Sequence, residues 1–264
     1  MKFSVITPSL NADKHIEKAI QSVLEQDYSN WEHIVVDGGS TDGTLDILKK
    51  YPHLKWTSEK DKGIYDAMNK GIKMADGEWI YFLGSDDYLL KEKIFSKLFP
   101  FLEKNIDVIY GNIISPRFGG SYDGAFDIYK ILIKNISHQA IFFNRSVFDK
   151  IDIFNLKYKS QADWDHNMRW LLNPKIISKY VPIDIAFFSD HGFSSNLNDP
   201  LFQKDKILNY INYGLIKIPL NHLKKLIRKE IKEAKKKKSY SKIIEFVFLY
   251  IKILIVKRLT IISQ

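Results

Sequence analysis

Two adjacent carboxylates, Asp86 and Asp87, follow the apolar run Trp79-Ile80-Tyr81-Phe82-Leu83 and the small pair Gly84-Ser85. Like charges side by side repel and raise one of the two pKa values, so the pair asks for a cation. A hard divalent ion, Mn²⁺ or Mg²⁺, fits, because such ions bind through one or two carboxylates and leave their other positions to phosphate oxygens and water. The alternative is a solvated acidic turn that caps the next helix. A second polar segment, Asp37-Gly38-Gly39-Ser40-Thr41-Asp42-Gly43-Thr44, offers glycines for close backbone approach, hydroxyls, and a carboxylate able to accept from a base or a ribose. Taken alone, it also reads as a tight turn with a helix N-cap at Asp42 or Thr44. It has neither the lysine of a phosphate-cradling loop nor the spacing of a dinucleotide fingerprint, which disfavours an ATP or NAD site.

The elements that must position these residues alternate. Lys2 to Ile6 reads as a strand, Lys14 to Gln26 as a one-faced helix, Ile34 to Val36 as a strand, and the segment from Thr44 to Tyr51 as a helix. A third helix fits Ile64 to Ala75, and Trp79 to Leu83 is a buried strand. A helix from Lys91 to Leu102 and a strand from Asp107 to Tyr110 complete the first half. This alternation predicts an α/β fold with a mostly parallel sheet covered by helices on both faces. In such sheets ligands bind beyond the carboxyl ends of the strands. The loops 7–11, 37–44 and 85–87 all follow strands, so they are expected to share one crevice.

The second half is less regular. Ala140 to Phe143 and Ile183 to Phe188 are strand-like, and between them lies the aromatic and acidic stretch Asp163-Trp164-Asp165. Read as a strand, alternation could aim either aspartate outward, where it is merely a surface charge. His138-Gln139 stands before an apolar strand, where it borders an acceptor pocket or merely marks a strand entry. Tyr158, Trp164 and Trp170 suit stacking on a sugar or filling a core.

The chain has 264 residues, 45% of them apolar, and a formal charge of +9. That excess is confined to one end. From Asn221 to Gln264 there are 13 Lys and Arg against 3 Glu, whereas the remainder carries 27 basic and 28 acidic residues. A balanced body argues against a nucleic-acid groove. There is no cysteine, so any metal sits on oxygen or imidazole ligands. No apolar h-region follows Lys2, and export is not expected. The last stretch, Ile243 to Ile262, is apolar but interrupted by Glu245, Lys252, Lys257 and Arg258. A spanning helix needs roughly 20 mostly uncharged residues, so this one is expected to lie on a membrane surface and not cross it. The other reading is an amphipathic helix packed on the body or on a second copy in a homodimer.

Four segments in order carry a resemblance: Ser4 to Asn11, Val35 to Thr44, Asp61-Lys62-Gly63-Ile64-Tyr65-Asp66-Ala67-Met68-Asn69-Lys70-Gly71, and Ser85-Asp86-Asp87. Together they resemble family 2 glycosyltransferases of GT-A fold, in the branch that builds exopolysaccharides, O-antigens and colanic acid-like polymers. The resemblance fades after about Asn196. It implies a catalytic domain over 1–200, with a nucleotide-binding half over 1–110 and an acceptor-binding half over 111–200, followed by a helical, basic, membrane-associating region over 201–264. It further implies that Thr7, Pro8 and Asn11 line the nucleotide pocket, that Asp37 contacts the base, and that Lys62 and Asp66 lie near the ribose and diphosphate. Asp87 and Asp86 would hold the metal, Asp86 through ribose or water, and His191 would join them from a late loop. Ala162-Asp163 stands where the family has Glu-Asp, which makes Asp163 the implied catalytic base. Three positions depart from the pattern: Gly38 for a second Asp, Leu10 for Tyr, and Ala162 for Glu.

The implied reaction is an inverting transfer of a hexosyl or N-acetylhexosaminyl group from a nucleotide-sugar donor, a UDP-sugar above all, to a hydroxyl of a glycan or polyprenyl-linked glycan. A cytoplasmic enzyme held at the inner membrane by its basic tail follows from the same resemblance. Two rivals stand beside it. A nucleotidyltransferase would need a Lys- or Arg-bearing loop after the first strand, and Pro8-Ser9-Leu10-Asn11 is not one. A sugar- or membrane-binding module without catalysis would keep the pockets and lose turnover.

Overall fold

The computed structural model describes residues 2–90, 93–189 and 198–262. Four strands form its first half: β1 (Phe3–Ser9), β2 (Trp31–Asp37), β3 (Leu54–Ser58) and β4 (Trp79–Phe82). They pair in parallel in the order β3-β2-β1-β4. Helices α1 (Ile16–Leu24), α2 (Thr44–Lys49) and α3 (Ile64–Met74) connect them. Successive residues of a strand face opposite sides, and β2 shows it. Val35 packs with Ile16, Ile20 and Leu48, whereas Ile34 and Val36 share a cluster with Met68 and Ile72 of α3. Gly71 lets α3 lie close on β1, because a Cβ there would stand 2.3 Å from Ile6 Cγ2.

The second half departs from a parallel pattern. β8 (Ile141–Asn144) inserts antiparallel between β4 and β6 (Val108–Ser115), and β9 (Ser178–Phe187) lies parallel to β6. The short strands β5 (Tyr88–Leu89) and β7 (Gly120–Tyr122) pair antiparallel with β9 and β6. The result is one nine-stranded mixed sheet, parallel where the polar loops gather. The expected helix near Lys91 begins later, as α4 (Ile94–Leu98) followed by a 3-10 turn. The small helices α5 (Lys130–Ile133) and α6 (Ser146–Ile151) flank β8 in sequence.

Asp163 and Asp165 do not alternate along a strand. They open helix α7 (Ala162–Leu172), whose first turn is acidic, which suits the positive end of the helix dipole. Beyond it run α8 (Pro200–Tyr213), capped by the Asp199 carboxylate, then α9 (Leu220–Lys236) and α10 (Tyr240–Ile262). The C-terminal helices join the main core through Phe202, Tyr210, Leu223, Ile227, Phe246, Leu249 and Ile253. Among the described residues no helix is long and apolar enough to cross a membrane.

Candidate active site

Beyond the carboxyl ends of β1 and β4 the loops enclose a cavity of 310 Å³, lined by Pro8 to Ala12, His15, Asp61, Gly63, Ile64, Ala67 and Gly84 to Asp86. Pro8, Asn11 and Asp86, which the resemblance assigns to the donor, line this cavity together. Asn11 takes a left-handed conformation at φ 49°, tolerated by Asn, and ties the first loop to the second. Its N–H donates to Ser40 Oγ, and its side-chain oxygen accepts from Thr41 N–H.

Four expected nucleotide contacts do not line this cavity. Thr7 is fully buried, its hydroxyl 2.9 Å from His33 Nε2, and it does not reach the cavity. Burial, with the charge of His53 adding to it, pushes His33 down to about 3, so its ring is neutral. Asp37 is fully buried too. Its carboxylate accepts from Gly39 N–H, Ser40 N–H, Ser40 Oγ and Ser58 Oγ at 2.5 to 3.0 Å, and so builds the turn instead of facing the cavity. A buried strand-end carboxylate must be satisfied by such donors. Lys62 is exposed, and Asp66 accepts its backbone N–H at the start of α3 and lies 3.7 Å from Lys70 Nζ. Neither lines the cavity.

Asp87 is buried, 2% exposed. Its Oδ1 accepts from Ser189 N–H at 2.8 Å and its Oδ2 from Gln139 Nε2 at 2.5 Å. Burial first, and then the charge of Asp86, push its carboxyl up to about 7. Gly84 makes room for both side chains, since a Cβ there would stand 2.3 Å from Asp87 Oδ2 and 3.2 Å from Asp86 Oδ1. Two adjacent carboxylates, one driven toward protonation for want of positive charge, fit a divalent cation whose remaining positions go to phosphate and water. Among the described residues there is no group of three or more His, Cys, Asp or Glu side chains that could hold a metal. His191, the expected third, lies outside the described residues.

A second cavity of 460 Å³ has Gln139 in its wall. Asp163 lines it together with His138, Gln139 and Asn135, and its aromatic wall comes from Phe118, Tyr122, Trp164 and Phe188. Tyr65, from α3, places its hydroxyl 2.8 Å from Asp163 Oδ1. Burial, and then the Asp163 charge, raise the Tyr65 phenol well above its ordinary value and keep it a donor. Asn135 Nδ2 donates to Asp163 Oδ2 at 2.7 Å. That amide is itself oriented by Asn167, which donates to Asn135 Oδ1 and accepts from Trp170 Nε1. His138 Nδ1 stands 3.8 Å from Asp163 Oδ2, and its buried Nε2 has no hydrogen bond among the described residues. Asp165 belongs to a different environment. Fully buried, it accepts from Arg169, Asn209 and Tyr213 and ties α7 to α8. Tyr158 and Trp170 are core residues, whereas Trp164 is half-buried at the cavity wall.

Sequence reasoning did not find Tyr65, Asn135 or Ser189. Their signal is purely tertiary, because Tyr65 lies 98 residues from Asp163 and the Ser189 donor is a backbone group. Asp61 stood only within the third segment of the resemblance, and His15 only within the first expected helix.

Several known proteins are similar. The family described as Glycosyl transferase family 2 matches residues 4–168. The "PGL/p-HBAD biosynthesis glycosyltransferase" of Mycobacterium bovis (strain BCG / Pasteur 1173P2) is 38% identical over 202 residues, covering 74% of this chain and 79% of the relative. The "Putative teichuronic acid biosynthesis glycosyltransferase TuaG" of Bacillus subtilis is 42% identical over 108 residues, 39% of this chain and 42% of that protein. The "UDP-Glc:alpha-D-GlcNAc-diphosphoundecaprenol beta-1,3-glucosyltransferase WfgD" of Escherichia coli is 38% identical over 112 residues, 41% of this chain and 44% of that protein. Among solved structures, S. aureus TarS 1–349 in complex with UDP-GlcNAc superposes with a TM-score of 0.69 at 18% identity, over 98% of this chain and 92% of that one. The Pyrobaculum calidifontis mannosyltransferase PcManGT in complex with GDP-Man and Mn²⁺ gives a TM-score of 0.60 at 16% identity, over 96% and 87%. These structural likenesses establish the GT-A architecture, and the sequence match over 4–168 establishes the kinship: the chain belongs to glycosyl transferase family 2.

Proposed function

We propose that this family 2 enzyme moves a hexosyl or N-acetylhexosaminyl group from a nucleoside diphosphate sugar, a UDP-sugar, to a hydroxyl of a glycan or lipid-linked glycan, with inversion at the anomeric carbon. One observation carries the reading: Asp86 lines a cavity with apolar walls suited to a nucleoside, and its neighbour Asp87 is bonded to Gln139, which lines a second cavity holding a carboxylate fixed by two donors. Asp163 accepts the proton of the acceptor hydroxyl as that oxygen attacks opposite the leaving diphosphate. A base so positioned contributes roughly 10²- to 10⁴-fold. Tyr65 and Asn135 hold it in place, and Gln139 and Ser189 orient Asp87. Asp87 and Asp86 hold Mn²⁺ or Mg²⁺, which supplies countercharge to the leaving diphosphate. Complexes of TarS with UDP-GlcNAc and of PcManGT with GDP-Man and Mn²⁺ support donor class and cation. TuaG and WfgD support polysaccharide assembly on a lipid carrier as the setting.

The nucleotide-binding half is 1–110, the acceptor half 111–200, and 201–264 is the membrane-contacting region. Helix α10 has two apolar faces. Phe246, Leu249 and Ile253 are buried, while Ile244, Phe248, Ile251, Ile255 and Leu259 form an exposed stripe at helical spacing. Lys235 to Lys238 precede it, and each such cation near anionic lipid adds about 1 kcal/mol. The stripe thus fits the cytoplasmic surface of the inner membrane. Transfer from a panel of UDP- and GDP-sugars in the presence of Mn²⁺, measured on the full chain and on Asp163→Asn, tests the reading. Sugar transfer that is lost in the variant supports it, and undiminished turnover by the variant removes Asp163 from the mechanism. A full chain that binds donor and turns over none of the panel favours the binding module instead.

A further inference from the structure

The donor cavity contains a second carboxylate that the cation does not need. Asp61 lines the cavity, and its Oδ1 accepts from Gly63 N–H at 2.8 Å. Its Oδ2 has no hydrogen bond among the described residues. Lys70, whose charge Asp61 feels, is paired with Glu59 at 2.8 Å. Asp61 lies over Gly38: a Cβ at Gly38 would stand 2.7 Å from Asp61 Oδ2 and 3.1 Å from its Cγ. The carboxylate therefore fills the space that a side chain at the end of β2 would take. Sheet order separates it from the cation site, because Gly38 follows β2 and Asp86 follows β4, with β1 between. Two strand spacings amount to about 10 Å. Pro8, Leu10 and Ile64 supply apolar walls between these ends.

Resting on the donor reading above, we propose that Asp61 reads the donor's base: its Oδ2 accepts the ring N–H that uracil and guanine present and that cytosine lacks. A carboxylate only accepts, so it favours a base edge with a donor at that position and repels the bare ring nitrogen of cytosine. The Gly63 N–H makes the test sharp. In Asp61→Asn the amide oxygen must stay on Gly63, because the NH₂ group cannot accept, and the NH₂ is turned toward the base. The variant then matches cytosine and mismatches uracil or guanine.

The experiment is calorimetric titration of UDP, GDP and CDP, each with Mn²⁺, into the full chain, Asp61→Asn, and the double variant Gly38→Asp/Asp61→Gly. The full chain is expected to prefer UDP or GDP to CDP, and the two arms identify which. A hydrogen bond to a charged group corresponds to about 10- to 100-fold in affinity, so Asp61→Asn is expected to lose at least tenfold for the preferred nucleotide while its affinity for CDP rises. The double variant moves the carboxylate into the vacated space and is expected to regain most of the lost affinity, which a merely unfolded protein cannot do. An Asp61→Asn variant with the full chain's preference and affinity overturns the assignment while leaving the donor site intact. A full chain that binds none of the three overturns both.

Discussion

Tyr65, on the helix that walls the donor cavity, donates its hydroxyl at 2.8 Å to Asp163, which lines the acceptor cavity. One hydrogen bond thus joins the two halves of the site. Tyr65→Phe keeps the ring packing and removes the donor. Loss of a bond to a charged group costs about 1.5–3 kcal/mol, so kcat is expected to fall roughly tenfold or more with the donor KM little changed. An unaltered kcat in steady-state assays would mean that Asn135 alone suffices to hold the base.

Asp163 and Asp165 are two residues apart and are expected to behave oppositely. Asp163→Asn should lower kcat by about 10² to 10⁴ while leaving nucleotide affinity and unfolding midpoint near the parent's. Asp165→Asn should act on stability, because it weakens the bonds to Arg169, Asn209 and Tyr213 in a buried setting, at a cost of about 1–3 kcal/mol by urea unfolding. Equal effects of the two on kcat would contradict the separation of their environments.

A pH signature follows from Asp87. Its carboxyl is raised from an ordinary 3.8 to about 7, chiefly by burial and then by Asp86. The folded state therefore holds its proton more tightly than the unfolded chain. The associated stability is full below about pH 4 and is lost as pH rises toward 7. Thermal melts of metal-free protein are expected to show a falling midpoint over that window, a slope that Asp87→Asn removes. Mn²⁺ added at about pH 8, which binds the ionised form, should raise the midpoint of the parent and not of the variant. A parent slope that persists unchanged in Asp87→Asn would assign it to other groups.

The exposed stripe of α10 can be tested without disturbing the core. Deleting 221–264 would also strip Leu223, Ile227 and Phe246 from it, so point changes are cleaner. Phe248→Asp/Ile255→Asp is expected to abolish co-sedimentation with vesicles containing anionic lipid while leaving the melting midpoint within a few degrees. Undiminished vesicle binding would leave the stripe to a protein partner, such as a second copy of the chain.

Much of the donor side was legible in the sequence because it is built from local order: buried strands, short polar loops, one-faced helices. β1, β2, β4 and α3 fall close to where periodicity put them, and Pro8, Asn11 and Asp86 line the cavity. What misled was the direction of individual side chains. Asp37 and Thr7 sit in the right loops but turn inward, to partners that become visible only when β2 meets β3 and β1 meets β2. The short strand β3 went unread because Leu54-Lys55-Trp56-Thr57-Ser58 has only one buried residue. The acceptor side was least legible: α7 carries polar Asp163, Asp165, His166 and Asn167 on buried positions, so it lacks the apolar stripe that announces a helix. Their partners come largely from other elements, Tyr65 and Asn135 for Asp163, Asn209 and Tyr213 for Asp165, Asn135 and Ile136 for Asn167, which no single segment reveals.

The central claim is that Asp86 and Asp87 present a cation to the diphosphate of a nucleotide lying against Pro8 and Asn11. Anomalous diffraction at the manganese edge, from crystals grown with UDP and Mn²⁺, tests it most directly. The account predicts a single strong peak within coordination distance of the Asp87 carboxylate, with diphosphate oxygens on its other side. A nucleotide in that cavity with no peak at the aspartate pair, or a peak elsewhere, would contradict it.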